Sequence, residues 1–400
     1  MKQLYLIIVA IAALFSMSAC SSDEPGIDNG RSDIGLSDAE LVLSEGMGEL
    51  NIELFKVLVA REEGYDNIIV SPLSSGMFLS MLANISPEET QERIFKALGS
   101  SDLDALNSFN AKMLSNLGKL DRTTTLNLAN SIWHDPAVAF EPEAEETFSK
   151  YFATDFFSCD PSAPETKNRI NNWIKNKTNN LITEAYKGEP FEMMLLNSLY
   201  FNGKWKDKFD KSYTKKEKFH VGEKIYMVDM MKRLNVNEEL AKGNNFMACR
   251  REFGNGAYTC TFILPDEDCE INDFIAGLSY EDISGLKFSS EECDLIVPKF
   301  EIRKHIEKYE DILADLGIFT KDDSPEVIIG DKKLEAFHES CIKLDEDGAE
   351  VAAVTGGGMV TLDSWNPDKW RFRLDRPFIF MINETSTNAC ILAGRISKFK

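Results

Sequence analysis

The chain has 400 residues, of which 43% are hydrophobic and 10% aromatic, so it is long enough to bury a sizeable globular core. Its 66 acidic residues outnumber the 44 basic ones and give a formal net charge of −22. Because nucleic-acid-binding proteins usually present a basic face, this balance argues against DNA or RNA as a partner.

The N-terminal residues are predicted to precede the folded domain. An apolar run from Leu4 to Phe15 follows a single lysine and is too short to span a bilayer, which is typical of an export signal. The tetrapeptide MSAC, which ends at Cys20, resembles a bacterial lipobox, a signal whose cleavage leaves a lipid-bearing cysteine. We therefore predict a lipoprotein signal peptide at 1–19; the alternative is an ordinary signal peptide.

The residues after Cys20 are polar and rich in Gly, Ser and Asp, so 20–37 is predicted to be a disordered tether. The acidic start SSDE resembles the surface-export signal of Bacteroidetes lipoproteins. This resemblance implies an exported protein held in the bacterial outer membrane by its lipid and exposed at the surface. The leaflet that holds the lipid is left open.

Helices are predicted to dominate the first part of the domain. Apolar residues recur at helical spacing between Ser37, a capping residue, and Gly64. A short strand then leads to a helix that begins at Ser71-Pro72, and another helix follows Pro87. The segment 165–186 is predicted to be an amphipathic helix.

Strand-like segments dominate the rest of the chain. The continuous apolar run MLLNSLYFNGKW, which ends at Trp205, predicts a strand buried on both faces. A hairpin is predicted to turn between Glu384 and Asn388, and a single helix from His305 to Leu316 interrupts the strands. Helices first and mainly antiparallel strands later, with no internal linker, predict one α+β domain at 38–400.

No motif for catalysis or metal binding is evident. The sequence lacks GxSxG, GxxxxGK[ST] and HExxH, and its four histidines are far apart in the chain. Seven cysteines follow Cys20 without CxxC spacing; Cys260, Cys341 and Cys390 are predicted to be small core residues, and a bridge among the others is left open. We therefore expect no enzyme activity, no cofactor and no metal.

From about Asp38 to Lys400, the order of several motifs resembles the serpins, a family of serine protease inhibitors. The resemblance implies one α+β domain with three β-sheets, eight or nine helices and an exposed reactive-centre loop. The matching segments, in chain order, are NIIVSPLS (67–74), LLNSLYFNGKW (195–205), FILPDE (262–267), VPKFEI (297–302), DILADLGI (311–318), FHESCIKLDEDGAEVAA (337–353), DRPFIFMI (375–382) and AGRI (393–396).

The resemblance implies a suicide-substrate mechanism. A target serine endopeptidase, or a cysteine endopeptidase, cleaves the loop, which then inserts into the central sheet as a new strand and carries the protease with it. The residues of this chain that match the hinge of the loop are Glu346, Gly348, Ala349, Glu350, Val351, Ala352, Ala353, Val354 and Thr355. A non-inhibitory serpin that acts as a binding or carrier protein is the alternative.

The composition of the hinge suits insertion. In a strand, side chains alternate between the two faces, so Ala349, Val351, Ala353 and Thr355 would face one side and Glu350 the other. After Asp345 no proline occurs before position 367, so each amide of the loop can join a strand ladder.

The bond that is cleaved is placed by counting along the loop. In the family it lies about sixteen positions after the acidic hinge residue, which gives Leu362–Asp363; Met359, Val360 and Thr361 are alternatives. A leucine there implies a protease with an apolar primary pocket, of elastase, chymotrypsin or subtilisin type. The protein is expected to act as a monomer.

Other matching residues are implied to control the opening of the sheet. Ser71, Ser74, Asn197 and His338 match a hydrogen-bonded cluster beneath the central sheet, here called the shutter. Trp205 matches the residue at the point where the loop enters the sheet, here called the breach. In any other fold the same side chains would serve as ordinary core residues.

Overall fold

The computed structural model describes residues 29–62, 64–138, 142–189, 191–306, 309–319, 334–349 and 370–399. Arg31–Lys400 forms one compact unit. The predicted signal peptide, Cys20 and most of the tether lie outside the described residues, as do Glu350 to Thr355 of the hinge and both residues of the predicted bond.

The described residues contain nine α-helices, numbered here in chain order. None of them is long and apolar enough to cross a membrane. They are α1 (Asp38–Arg61), α2 (Pro72–Ala83), α3 (Glu88–Leu98), α4 (Leu103–Leu117), α5 (Pro142–Phe152), α6 (Pro164–Lys177), α7 (Ile271–Gly277), α8 (Tyr280–Ser284) and α9 (Tyr309–Asp315).

The first two helices begin where the sequence signals place them. The Ser37 side chain caps α1 and forms a capping box with Glu40. Ser71 caps α2 by accepting a hydrogen bond from the backbone of Ser74, and Pro72 occupies the first turn, where no backbone donor is needed. Every residue of α2 is buried, and the helix packs against strands of both sheets described below.

Fifteen strands are formed by the described residues. They are β1 (Ile68–Val70), β2 (Thr124–His134), β3 (Thr154–Ser158), β4 (Met193–Gly203), β5 (Lys215–Val221), β6 (Lys224–Lys242), β7 (Phe246–Phe253), β8 (Tyr258–Pro265), β9 (Ser289–Pro298), β10 (Phe300–Ile306), β11 (Leu334–Asp345), β12 (Gly348–Ala349), β13 (Trp370–Arg373), β14 (Phe378–Glu384) and β15 (Cys390–Ile396).

One sheet, here called the central sheet, has the strand order β10-β11-β4-β2-β3, and β12 pairs with β11. The β11–β4 and β2–β3 pairs are parallel, and the β10–β11 and β2–β4 pairs are antiparallel. Ten of the eleven residues of β4 are buried, which agrees with the prediction from its apolar run.

The other strands form a larger sheet with the order β1-β15-β14-β8-β7-β6-β9-β13, and β5 pairs with β6. The long strand β6 divides it into two parts, because its register with β9 shifts between Arg233 and Val236, where Asn235 has φ +55°. With the central sheet, these two parts make three sheets. The expected α+β architecture of three sheets and eight or nine helices is thus confirmed, with nine helices among the described residues.

Some boundaries differ from the predictions. The helix predicted from His305 begins only at Tyr309, because strand β10 continues to Ile306 in register with β11. The predicted helix at 165–186 ends at Lys177, where Thr178 turns its hydroxyl to the carbonyl of Ile174.

The end of the predicted tether is also packed against the domain. The Ile34 side chain is buried, and its N–H donates to the Ser386 hydroxyl at 2.9 Å. The guanidinium of Arg31 donates to the carbonyl of Gly256 at 3.4 Å. Arg31 and Ile34 therefore contact the domain, although they precede residue 38, where the domain is predicted to begin.

The seven described cysteines form no disulfide with one another. Cys260, Cys341 and Cys390 are buried, as predicted for small core residues. No group of described His, Cys, Asp or Glu side chains is arranged to hold a metal ion.

Candidate functional site

The candidate site lies between β11 and β4, the two parallel strands at the middle of the central sheet. Their register runs from the Leu334–Met193 pair to the Glu339–Ser198 pair. Beyond this point the short strand β12 pairs with the end of β11, and Gly348 of β12 also bridges to Lys204, directly after β4. The first residues after the turn at the end of β11 therefore lie between the two strands.

The imidazole of His338 is the centre of the shutter. Its Nε2 accepts a hydrogen bond from the backbone N–H of Ser71 at 3.0 Å and lies 2.8 Å from the Ser340 hydroxyl. Because a backbone N–H can only donate, Nε2 carries no proton and the ring is neutral. Burial lowers the pKa of His338 to about 4, which favours the same neutral state.

The shutter joins β11 to the N-terminus of α2. The Ser71 hydroxyl donates to the Ser74 hydroxyl at 2.8 Å, and the ring of Tyr309 stacks on His338 with centroids 5.6 Å apart. The Tyr309 hydroxyl donates to that of Ser75 at 2.6 Å. The structure therefore brings three of the four predicted shutter residues into one hydrogen-bonded group.

Asn197, the fourth residue, is placed differently. It is the register partner of His338, but its side-chain amide donates to Asn130 on the neighbouring strand β2 at 2.7 Å. Asn130 in turn donates to the carbonyl of Phe152 at 2.9 Å. Asn197 thus links β4 to β2 and α5, on the side of β4 opposite to β11.

Trp205 holds the end of β11 at the breach. Its indole Nε1–H donates to the carbonyl of Asp345 at 3.0 Å, and its backbone N–H donates to that of Asp347 at 2.9 Å. The ring is buried and stacks on Phe253 with centroids 4.4 Å apart. The side chain therefore fixes the backbone from which the predicted hinge starts.

Glu346, the first hinge residue, is buried and fully paired. One carboxylate oxygen lies 2.8 Å from the Lys299 ammonium, and the other accepts from the Thr214 hydroxyl at 2.8 Å. Burial opposes ionisation of this carboxyl, but the hydrogen bonds from Lys299 and Thr214 outweigh it and lower its pKa. The carboxylate is thus held in its charged form.

Asp347 forms a second and more exposed contact. Its carboxylate lies 2.8 Å from the Lys208 ammonium and 2.7 Å from that of Lys211, and these hydrogen bonds lower its pKa. Burial raises the pKa of the adjacent Asp345, and the charges of Lys299 and Lys343 offset this only in part. Together, the Glu346 and Asp347 contacts tie the turn after β11 to the segment that follows β4 and to the start of β10.

Only glycine fits at position 348, because any side chain there would clash with the neighbouring backbone. Its φ is +146°, and an added Cβ would lie 2.1 Å from the carbonyl oxygen of Gly203. The next residue, Ala349, is completely buried, as expected for the first small side chain of the inward-facing set.

The sequence prediction did not identify the partners of the hinge carboxylates. These are Lys208, Lys211, Thr214 and Lys299. The run KWKDKFDK, from Lys204 to Lys211, was the available signal. Three consecutive acidic residues at the end of a buried strand need nearby cations, and this run follows the strand that pairs with β11.

Comparisons with known proteins agree with this geometry. The family model described as "Serpin (serine protease inhibitor)" matches residues 45–399. Human Serpin B9 is 24% identical over 379 residues, which cover 89% of this chain and 99% of that protein. Serpin-ZX of Arabidopsis thaliana is 25% identical over 376 residues, which cover 87% of this chain and 96% of that protein.

A solved structure shows the same fold. The native state of Tengpin, a thermophilic serpin, superimposes with a TM-score of 0.79 at 26% identity and covers 93% of this chain and 97% of its own. The family match spans almost all of the domain. The chain therefore belongs to the serpin family.

Proposed function

We propose that this protein inhibits serine endopeptidases as a suicide substrate, by cleavage of its reactive-centre loop and insertion of the loop into the central sheet. The observation that carries the proposal is the position of β12. Gly348 and Ala349 already pair with β11, and Gly348 also bridges to Lys204, so the loop would begin where the direct pairing of β11 with β4 has ended.

The energetics favour insertion once the loop is cut. Insertion would replace the direct pairing of β11 with β4 by two new ladders, one to each strand. Apart from Glu350, the hinge residues that follow the buried Ala349 are small or apolar. Each new ladder hydrogen bond is worth about 1 kcal/mol net, and buried apolar surface adds roughly 25 cal/mol per Å2. The uncut protein would therefore not be in its lowest free-energy state. It would persist because a kinetic barrier opposes insertion.

The proposed target is a protease with an apolar primary pocket, cleaving after Leu362, with Met359, Val360 and Thr361 as alternative positions. The loop has no Lys or Arg between Gly348 and Asp368, which argues against a trypsin-like target. Lipid modification at Cys20 would hold the inhibitor at the outer membrane and let it meet proteases outside the cytoplasm. The inhibitor itself supplies no catalytic group in this mechanism.

The experiment is incubation with pancreatic elastase and chymotrypsin, followed by denaturing electrophoresis. We expect a covalent complex that survives SDS, and mass spectrometry of the released peptide should place the cleavage after Leu362. If every protease that cuts the loop leaves only cleaved protein and free enzyme, the inhibitory proposal fails.

A matched pair of hinge variants tests the mechanism. Ala353→Arg would place a charge on the inward face of the inserted strand, and Ala352→Arg would place the same charge on the outward face. We expect the first variant to be cleaved without forming a complex and the second to form the complex. Equal behaviour of the two variants would contradict insertion in this register.

A further inference from the structure

A polar cavity of about 350 Å3 lies next to the breach, and its volume is within the range of small-molecule sites. Strands β6, β7 and β8 of the larger sheet contribute most of its wall, and Asp207, Arg31 and Thr385 contribute the rest. The charged side chains that line the cavity include Arg31, Asp207, Glu239, Arg250, Arg251 and Glu252.

Arg251 is the buried group at this cavity, with only 3% of its surface exposed. Its Nε donates to the Glu238 carboxylate at 3.3 Å, and its Nη2 donates to the carbonyl of Asp207. Its guanidinium carbon lies 4.6 Å from the centre of the Trp205 ring and 4.5 Å from that of Phe209. The side chain is therefore fixed in position.

The Nη1 group of Arg251 is buried and has no hydrogen-bond partner among the described residues. The neighbouring carboxylate does not serve it, because one oxygen of Glu238 accepts from Nε and the other pairs with Arg233 at 2.6 Å. A buried donor on a charged group is costly when it lacks an acceptor. Because Arg251 is one of the residues that line the cavity, an anionic oxygen bound beside its guanidinium would supply the missing acceptor.

The outer part of the cavity has a different character. Glu239 and Glu252 are half-buried; the first lies 3.9 Å from the Arg250 guanidinium and the second is paired with Lys206. Asp207 is exposed beside them. Because these carboxylates would repel a simple anion, while the buried guanidinium would repel a simple cation, neither ion alone matches the cavity.

We propose that this cavity binds a small zwitterion, a free amino acid or a dipeptide. Its carboxylate would accept from Nη1 of Arg251, and Arg250 would add to its attraction. Its ammonium group would face Glu239 and Glu252. The site is separate from the reactive-centre loop, and the proposal does not depend on protease inhibition.

The cavity lies close to Trp205, so ligand binding can be followed by tryptophan fluorescence. Arg251 packs on the Trp205 ring, and Trp205 in turn donates to the carbonyls of Asp345 and Asp347. A ligand on Nη1 changes the charge environment of the indole, so binding should change tryptophan fluorescence. It should also raise Tm, because a ligand that binds only the folded state stabilises it.

The experiment titrates the purified protein with glycine, L-glutamate, L-lysine and glycylglycine, and follows fluorescence and Tm. Sodium acetate and methylammonium chloride, at matched ionic strength, test the two halves of the ligand. We expect at least one zwitterion to give a saturable change in both signals, and neither half alone to saturate in the same range. No saturation by any zwitterion, or equal saturation by acetate alone, would overturn the proposal.

Variants at the rim locate the site without disturbing the buried pair. Arg250→Gln and Glu239→Gln each remove one partly exposed charge and should weaken binding about tenfold, the usual effect of one charged hydrogen bond. Arg303→Gln, which removes an exposed arginine paired with Glu301 on β10, should leave the affinity unchanged. If both rim variants bind as tightly as the parent protein, the ligand lies elsewhere and the assignment is wrong.

Discussion

At the residue scale, the shutter depends on an uncharged imidazole. In the folded protein Nε2 of His338 accepts from Ser71, and burial lowers the pKa to about 4 from its ordinary 6.5. Between pH 4 and pH 6.5, the His338 imidazole binds a proton in the unfolded chain but not in the folded protein. The stabilisation is therefore complete above pH 6.5 and is lost as the pH falls towards 4.

The predicted effect is a loss of about 3 kcal/mol in the free energy of unfolding between pH 7 and pH 4, from this residue alone. His338→Gln keeps a neutral acceptor for Ser71 and removes the titration. Urea unfolding at a series of pH values should thus show that the free energy of unfolding depends less steeply on pH in the variant than in the parent protein. Parallel curves for the two proteins would mean that His338 does not titrate differently in the folded state.

Gly348 gives a second test at the same scale. We expect Gly348→Ala to lower the free energy of unfolding by about 2 kcal/mol or more, because its Cβ would meet the backbone of Gly203 and because φ is positive. Gly35→Ala is the control, since nothing lies within 4 Å of its added Cβ. Unfolding midpoints in urea measure both; equal midpoints would contradict the geometry at the breach.

Some single residues were predictable from sequence and others were not. The caps at Ser37 and Ser71 follow from local rules, and the shutter histidine follows from the family resemblance. The hydrogen bond of Asn197 to Asn130 was not predicted, because it depends on which strand flanks β4 on its far side. Sequence patterns give the face of a strand but not the identity of its neighbour.

At the element scale, the turn between β11 and β12 is held by the ion pairs of two carboxylates of unequal burial. Glu346 is almost fully buried and faces Lys299, whereas Asp347 pairs with Lys208, which is half-exposed. Surface pairs contribute little because water and salt screen them, while loss of one partner of a buried pair leaves a desolvated charge. The Glu346 contact should therefore dominate.

The corresponding prediction compares two lysines. Lys299→Met should lower the free energy of unfolding by about 2 kcal/mol, because the buried Glu346 carboxylate loses its ammonium partner. Lys208→Met should cost less than about 1 kcal/mol, since Lys211 still pairs with Asp347. Urea unfolding at low salt measures both values. A larger loss of unfolding free energy for Lys208→Met than for Lys299→Met would contradict the conclusion that the Glu346 contact dominates.

Elements with a strong periodic or apolar signal were predicted well, and those fixed by tertiary contacts were not. Strand β4 and the β14–β15 hairpin lie where the sequence places them. The helix predicted from His305 is shortened because β10 extends into it to pair with β11. Helix and strand periodicities overlap in short segments, so the neighbouring strand decides between them.

At the scale of the whole molecule, the central sheet joins strands that are far apart in sequence. The parallel pairing of β11 with β4 brings together residues about 140 positions apart, such as His338 and Asn197. The sequence indicated mainly antiparallel strands, and only the family resemblance implied the three-sheet arrangement. Long-range parallel pairing leaves no local signal, so composition and periodicity alone do not reveal it.

The uncut molecule is predicted not to be in its most stable arrangement. A loop that inserts between β11 and β4 would add about ten ladder hydrogen bonds, worth on the order of 10 kcal/mol. For a domain of this size that corresponds to a rise in Tm of about 10 °C or more. The shutter, the breach and the carboxylate contacts of the hinge would hold the molecule in the uncut form until cleavage.

The most direct measurement is therefore Tm by calorimetry, before and after limited cleavage of the reactive-centre loop by elastase. The predicted result is an increase of about 10 °C or more for the cleaved protein, and no such increase for cleaved Ala353→Arg. An unchanged or lower Tm after cleavage of the parent protein would show that the loop does not insert and would contradict the proposed mechanism.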